Sequence, residues 1–270
     1  MGKIISVTNQ KGGVGKTTTA VNLAAALGAK GKNVLLVDVD PQGNATSGVG
    51  INKRLIRNSS YTLLMGRSSI DDTILATKYT GLSIIPADIN LAGAELELVS
   101  LDNREYRLKS AIVEKRDSYD FILIDCPPSL GLLTVNGLSA CDTIIIPIQS
   151  EYYALEGLAQ LLTTVRQIKR LYNPTIEIEG VLLTMFDSRL NLTLQVMGEV
   201  KKYFPQKVYS TAIPRNIRLS EAPSHGKPIK YYDPSSRGAI SYDLLADEVI
   251  LKNSKPLAEE LDVPQEGQNG

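Results

Sequence analysis

The chain of 270 residues contains no tryptophan, one histidine (His225), three phenylalanines and two cysteines, Cys126 and Cys141. Two cysteines outside any C-x-x-C pair exclude a disulfide framework, and a lone histidine beside them argues against a structural zinc site. No apolar run approaches the roughly 20 residues that a membrane-spanning helix needs. The N-terminus runs straight into a strand-like segment and has no signal-peptide pattern, so a reduced, cytoplasmic setting is expected. Neither sign of charge is in excess: Lys+Arg is 29 and Asp+Glu is 29, for a formal net charge of zero. Binding to nucleic acid would therefore have to come from a local patch and not from bulk charge. The hydrophobic fraction of 43% and charged fraction of 21% are those of an ordinary globular chain, long enough for one large α/β domain or two small ones.

What is present is an alternation of strand-like and helix-like segments, which predicts a mostly parallel twisted sheet with helices on both faces. Lys3–Thr8, Val34–Val37, Leu82–Pro86, Asp120–Asp125, Thr143–Pro147 and Ile178–Thr184 read as strands, with a short further strand near Val208. Lys16–Lys30, Leu91–Leu101, Arg104–Lys115, Leu155–Leu171, Leu192–Phe204 and residues 238–253 read as helices. Residues 61–77 suggest short helices, and 41–60 read as loop or broken helix. The expected layout is one domain over 1–253, followed by a mobile acidic tail over 254–270 that is rich in Pro, Gly and Gln.

The first strand-to-helix junction carries the clearest chemistry. Lys11-Gly12-Gly13-Val14-Gly15-Lys16-Thr17-Thr18 lies between an apolar strand and an alanine-rich helix, the context of a phosphate-cradling P-loop. Glycines let backbone N–H groups turn toward phosphate oxygens, and the helix N-terminus adds a favourable dipole. Lys16 is placed to reach the β- and γ-phosphates, and the Thr17 hydroxyl to enter a magnesium shell. The loop departs from the common G-x-x-x-x-G-K-[ST] pattern. Gln10 stands where its first glycine belongs, and a second lysine, Lys11, opens the loop.

This stretch resembles the deviant Walker A loop of the ParA/MinD ATPases. Val37-Asp38-Val39-Asp40-Pro41-Gln42-Gly43-Asn44, Leu123-Ile124-Asp125-Cys126-Pro127-Pro128-Ser129 and Ile213-Pro214-Arg215-Asn216 narrow the likeness to the chromosomal ParA (Soj) branch, over about residues 1–250. The resemblance implies ATP and Mg2+ as cofactors and slow ATP hydrolysis. It also implies a nucleotide-sandwich homodimer in which Lys11 reaches the partner's nucleotide, a ParB-type centromere-binding partner, and association with the nucleoid.

Ligands of open α/β sheets bind beyond the carboxyl ends of the strands, where Asp38, Asp40 and Asp125 fall. Asp125 follows four apolar residues, as a Walker B acid does, and is expected to hold the metal; the alternative is a helix-capping acid. Asp38 is expected to support the magnesium shell or the loop lysine. The resemblance assigns the water-orienting carboxylate to Asp40, and the alternative for both acids is a solvated Asp-Pro-Gln-Gly turn. Pro214 and Asn216 match the family's base-binding loop, and Met185 is a candidate for the same pocket or for the core. Glu151–Gly157 lies near nucleotide and partner in the resembled proteins, or simply starts a helix.

The segment 187–237 is the most basic part of a neutral chain. With the resemblance it is expected to bind double-stranded DNA without sequence preference, Arg189 and Arg218 leading and Lys227 and Lys230 assisting; the alternative is solvated surface. Paired patches on a dimer gain strongly in effective affinity, a physical reason for coupling ATP to DNA. A MinD-like membrane-surface ATPase is the competing function. It requires a basic amphipathic C-terminal helix, whereas Ala258–Pro264 is acidic and broken by proline, so no binding to liposomes is expected. An iron–sulfur relative lacks the cysteines it would need.

Overall fold

The computed structural model describes residues 1–150 and 154–254, with the backbone alone for 154–159. Seven strands form one sheet: β1 (Lys3–Val7), β2 (Val34–Asp38), β3 (Leu75–Ala76), β4 (Leu82–Ile85), β5 (Phe121–Asp125), β6 (Thr143–Gln149) and β7 (Glu177–Thr184). Their order is β3-β4-β2-β5-β1-β6-β7, with every pairing parallel except β3 with β4. The central strands are mostly apolar, Lys3 and Ser6 of β1 and the terminal Asp38 and Asp125 apart, because helices cover both faces.

Alternation along each strand divides the core in two. Ile4, Leu35, Val37, Ile122, Ile124, Ile144 and Ile146 face one layer, and Ile5, Val7, Val34, Leu36, Leu123 and Ile145 face the other. The second layer is closed by α1 (Lys16–Ala29) and the C-terminal helix Arg237–Asn253, which meet through Ala20, Leu23, Leu27, Tyr242, Leu245 and Val249. Truncating a fully buried leucine such as Leu35 or Leu36 to alanine costs about 2–5 kcal/mol. The alanines of α1 let it lie close to the sheet, and Gly28 allows the Thr80 carbonyl to approach where a Cβ would stand 2.3 Å from it.

The remaining helices, in chain order, are α2 (Asn44–Gly48), α3 (Ser60–Leu64), α4 (Ile70–Thr73), α5 (Leu91–Leu98), α6 (Arg107–Ile112), α7 (Leu132–Ala140), α8 (Ala154–Leu171), α9 (Asn191–Tyr203), α10 (Ile217–Glu221) and α11 (Ile229–Tyr232), with Arg237–Asn253 as α12. Several expectations are adjusted. Residues 61–77 hold two short helices but end in the antiparallel strand β3. The helix expected over Arg104–Lys115 starts at Arg107 and tightens into a 3-10 segment over Val113–Ser118. The segment near Val208 makes a single bridge to Val181. Helix α7 was not anticipated, being apolar around most of its surface with Gly137 in its middle. The acidic tail from 255 onward and the segment 151–153 lie outside the described residues. Among the described residues no helix is long and apolar enough to cross a membrane.

Candidate functional site

The glycine loop emerges from the carboxyl end of β1 in the middle of the sheet. Gly13 and Gly15 have φ of 76° and 88°, the left-handed region that only glycine enters without strain. Gly12 and Gly13 are exposed, and a Cβ on either would meet no atom within 4 Å. The loop is tied down at both ends. Asn9 donates to the Pro147 carbonyl (2.7 Å) and accepts from the Lys11 N–H (3.0 Å), and the Thr184 hydroxyl donates to the Val14 carbonyl (2.8 Å). Gln10 reaches Thr164 on α8 (3.4 Å), so the residue replacing the usual glycine anchors the loop to a neighbouring helix.

Lys16 opens α1 and is only 7% exposed. Its ammonium donates to the Lys11 carbonyl (3.0 Å). Burial lowers its pKa, and the nearby charges of Asp125 and then Asp40 oppose that shift. Strand register brings the acids together: Asp38 of β2 and Asp125 of β5 are direct cross-strand partners, and Val7 pairs with Asp125 on the other side.

The two buried acids differ in what they touch. Asp38 accepts from the Thr46 N–H (2.8 Å), the Thr46 hydroxyl (2.7 Å) and the Asp40 N–H (3.1 Å). Burial still raises its pKa to about 6 against those hydrogen bonds. Asp125 is fully buried, and its carboxylate oxygens make no close hydrogen bond, although the Thr17 hydroxyl lies near enough to act on its pKa. Burial raises its pKa well above the ordinary range, the Asp38 charge adds to this, and the neighbouring Thr17 hydroxyl and Lys16 offset it in part. A buried, unpartnered carboxylate is costly unless a cation meets it. Asp125, with Thr17 beside it, therefore fits a divalent cation. No cluster of three or more His, Cys, Asp or Glu placed to hold a metal occurs among the described residues. Mg2+ takes one or two carboxylates together with phosphate oxygens and water, and Asp125 with Thr17 offers such a partial set.

Asp40 sits beyond Asp38 and is 8% exposed. It accepts from the Gln42 N–H (2.9 Å), and its carbonyl accepts from the Gly43 N–H (2.8 Å), so its carboxylate is held by its own turn. Cys126 is buried against the Ser6 hydroxyl (3.1 Å), with its thiol pushed up to about 12 by burial. It is a packing residue and not a nucleophile.

A cavity of about 270 Å³ adjoins the loop. Gly15, Thr18, Met185, Pro214, Asn216 and Tyr242 are among its lining residues. Met185, at φ 49°, turns the chain out of β7. The Phe186 N–H then bonds to the Ile213 carbonyl (2.9 Å), and the Ile213 N–H to the Leu183 carbonyl (2.8 Å). That pairing places Met185 and Pro214 on one cavity although 29 positions separate them in number. Asn216 caps α10 with its side-chain oxygen, accepting from the Arg218 N–H (2.8 Å). Thr184 and Tyr242 in this wall, and Thr46 under Asp38, escaped sequence reasoning. Each acts across the fold, and none lies in a recognisable motif.

The expected basic residues differ in their partners. Arg189 forms a fork with Asp187 (2.6 Å and 2.9 Å), Arg218 pairs with Glu221 (2.9 Å) and Asp233 (3.4 Å), and Lys230 pairs with Asp243. Lys227 instead lines a second cavity beside Thr17, Thr18 and α2. The segment Glu151–Gly157 has no described side chains.

A family model for an AAA domain matches residues 2–178. The chain is 62% identical over 249 residues to the sporulation initiation inhibitor protein Soj of Bacillus subtilis (strain 168), covering 92% of this chain and 98% of that protein. It is 51% identical over 254 residues to the chromosome partitioning protein ParA of Myxococcus xanthus (strain DK1622), covering 94% and 90%. The chain belongs to the ParA/Soj family. Among solved structures, cobyrinic acid a,c-diamide synthase of Mycobacterium smegmatis, with bound ATP analog and magnesium, superposes with a TM-score of 0.83 at 36% identity, over 93% of this chain and 94% of that one. As a ParA/Soj relative the chain has its glycine loop at the end of β1, Asp38 and Asp125 at the ends of paired strands nearby, and a cavity beside Gly15 and Thr18.

Proposed function

We propose that this chain is a partitioning ATPase that binds ATP with Mg2+ in the cleft above the glycine loop and hydrolyses it. The observation that carries the proposal is the buried Asp125 carboxylate, without a close hydrogen bond and with the Thr17 hydroxyl and Lys16 beside it. That arrangement is poorly stable as it stands and becomes satisfied with a cation and phosphates present. The names of the relatives support the biological role, and the solved structure with an ATP analog and magnesium supports the ligands.

In this proposal the N–H groups of the exposed residues Gly12 and Gly13 and the start of α1 receive the phosphates, and Lys16 leaves the Lys11 carbonyl to meet them. Thr17 and Asp125 hold Mg2+, which when bound neutralises phosphate charge. Asp38 fixes Asp40 by accepting its N–H, and Asp40 orients the attacking water. Pro214 and Met185 flank the base, and the Asn216 amide group hydrogen-bonds its edge. ATP brings two copies face to face with Lys11 reaching across. The dimer then presents Arg189, Arg218, Lys227 and Lys230 to the DNA backbone, and a ParB-type partner stimulates hydrolysis and release.

Light scattering with Mg2+ tests the dimer step. A slowly cleaved ATP analogue is expected to double the mass seen with ADP, and adding DNA to shift only the ATP-analogue form. A mass unchanged by the analogue would remove the sandwich dimer from the proposal. Pelleting with liposomes would favour the membrane-surface alternative.

A further inference from the structure

The five-residue helix α2 is surrounded by cations from three separate parts of the chain. The Lys53 side chain folds back over its start: the ammonium donates to the Gln42 carbonyl (2.7 Å), and the side chain runs beside Gly43. Lys227 lines the cavity formed with Asn44, Ser47 and Gly48 of α2. The Lys78 ammonium lies 3.6 Å from where a Cβ on Gly50 would stand, just past the end of α2. Arg54 and Arg57 follow Lys53 and are exposed. Between Pro41 and Ile70 the sequence contains no acid, and no ion pair joins Lys53, Arg54, Arg57, Lys78 or Lys227 to a carboxylate among the described residues. The bordering acids are engaged locally: Asp72 accepts from the Ser69 hydroxyl, and Asp88 from the Asn90 N–H.

Two glycines make this surface continuous. A Cβ on Gly226 would stand 2.9 Å from the Gly50 Cα, and the Tyr79 hydroxyl bonds to the Gly226 carbonyl (2.7 Å). The turn carrying Lys227 is thus packed directly on the end of α2, and Lys227 belongs both to the basic segment 187–237 and to the ring of cations around α2. Arg189, Arg218 and Lys230 spend charge on neighbouring acids. The ring around α2 holds cations without such partners among the described residues, which is what a polyanion recruits.

We infer that the α2 surface, made by Lys53, Arg54, Arg57 and Lys78 together with Lys227, is a second docking site for DNA backbone phosphates. The inference rests on the DNA-binding proposal above and extends its footprint. It also gives the footprint a link to the nucleotide, because α2 hangs from Asp38 through both the N–H and the hydroxyl of Thr46.

The test compares the parent with an Arg54→Ala/Arg57→Ala/Lys78→Ala variant, both loaded with a slowly cleaved ATP analogue and Mg2+. Binding to a random-sequence duplex is measured across a salt series. Each phosphate that a cation no longer neutralises lowers the slope of log affinity against log salt by about 0.9. The variant is therefore expected to show a slope reduced by about 2 to 3 and an affinity at least about tenfold weaker at moderate salt. Lys/Arg exchanges at the same three positions are expected to retain the parent slope, which a merely structural role would not produce. ATP affinity and melting temperature report folding.

A parent that binds DNA and a triple-alanine variant with the same slope would overturn the inference alone. A parent that binds no duplex in any nucleotide state would overturn the DNA-binding proposal and the inference with it. Leu55, 77% exposed between these cations, is the side chain a protein partner would bury. If Leu55→Ser or the triple variant abolishes partner-stimulated hydrolysis while the DNA slope is unchanged, the surface serves a protein and the inference is wrong.

Discussion

The corner around the glycine loop and the basic edge of the molecule are built on opposite plans. At the loop, charged groups are buried and fixed: Lys16, Asp38 and Asp125 sit at the ends of adjoining elements, and strand register aligns the acids. At the edge, Arg189, Arg218 and Lys230 are exposed or half-exposed and already paired with acids. Buried charge is expensive and persists where a ligand repays it. Exposed charge costs little, contributes little to stability and can exchange partners. The first plan suits one small ligand held in one geometry, and the second suits a large, repetitive polyanion.

The sharpest way to break the contrast is Asp40→Ala. Turnover is expected to fall by about 10²–10⁴-fold while ATP binding measured by calorimetry is retained. Hydrolysis at the parent rate would remove Asp40 from the mechanism.

Next in size is Asp125→Asn, which trades function for stability. The Asp38 carboxyl is raised from 3.8 to about 6, and Asp125 is raised as well. A carboxyl with a raised folded pKa supports the fold below its unfolded value and loses that support as pH climbs through the folded one. In the ligand-free protein this support declines from about pH 4 upward. Asp125→Asn should therefore be more stable than the parent at neutral pH, by about 1–3 kcal/mol, and melt at a higher temperature, with the gap closing in acid. It should also gain nothing from Mg2+. Equal melting at pH 7 would mean that Asp125 is not held unpartnered in solution.

At the cavity, Asn216→Ala is expected to weaken ATP about tenfold, an amount set by one hydrogen bond, and to leave inorganic triphosphate binding unchanged. Equal losses for both ligands would place Asn216 outside base recognition.

The smallest effect belongs to the edge. Asp187→Asn releases Arg189, whose fork with that acid holds the carboxyl down at about 2. DNA affinity of the ATP form is expected to rise about two- to fivefold. A fall instead would show that the pair pre-positions Arg189.

The difference between the two regions also governs what could be read from the chain. The strands β1, β2, β5 and β6 announce themselves as nearly continuous apolar runs, and the glycine loop as a motif with its strand and helix attached. Local signals sufficed there because the chemistry is local. Helix α7 was hidden because it is buried on nearly all sides and so lacks a 3.6-residue polar alternation. The two-residue strand β3 carries no periodicity at all.

The part of Asp38 that the motif does not show is its grip on Thr46, eight residues on and in the next helix. The ring of cations around α2 was equally opaque. Lys53, Arg54 and Arg57 stand in an acid-free stretch visible in the sequence, yet only the packing of Gly50 on Gly226 joins them to Lys227. The fold was therefore legible where burial is continuous, and the site where a loop carries its own ligands. Surfaces assembled from distant segments were not.

The central claim is that Asp125 and the glycine loop together await a metal-bound triphosphate. Titrating ATP into the parent by calorimetry, with Mg2+ and then with a chelator, tests it most directly. The account predicts saturable binding that is markedly tighter with Mg2+. Binding of the same strength in both conditions, or no heat in either, would contradict it.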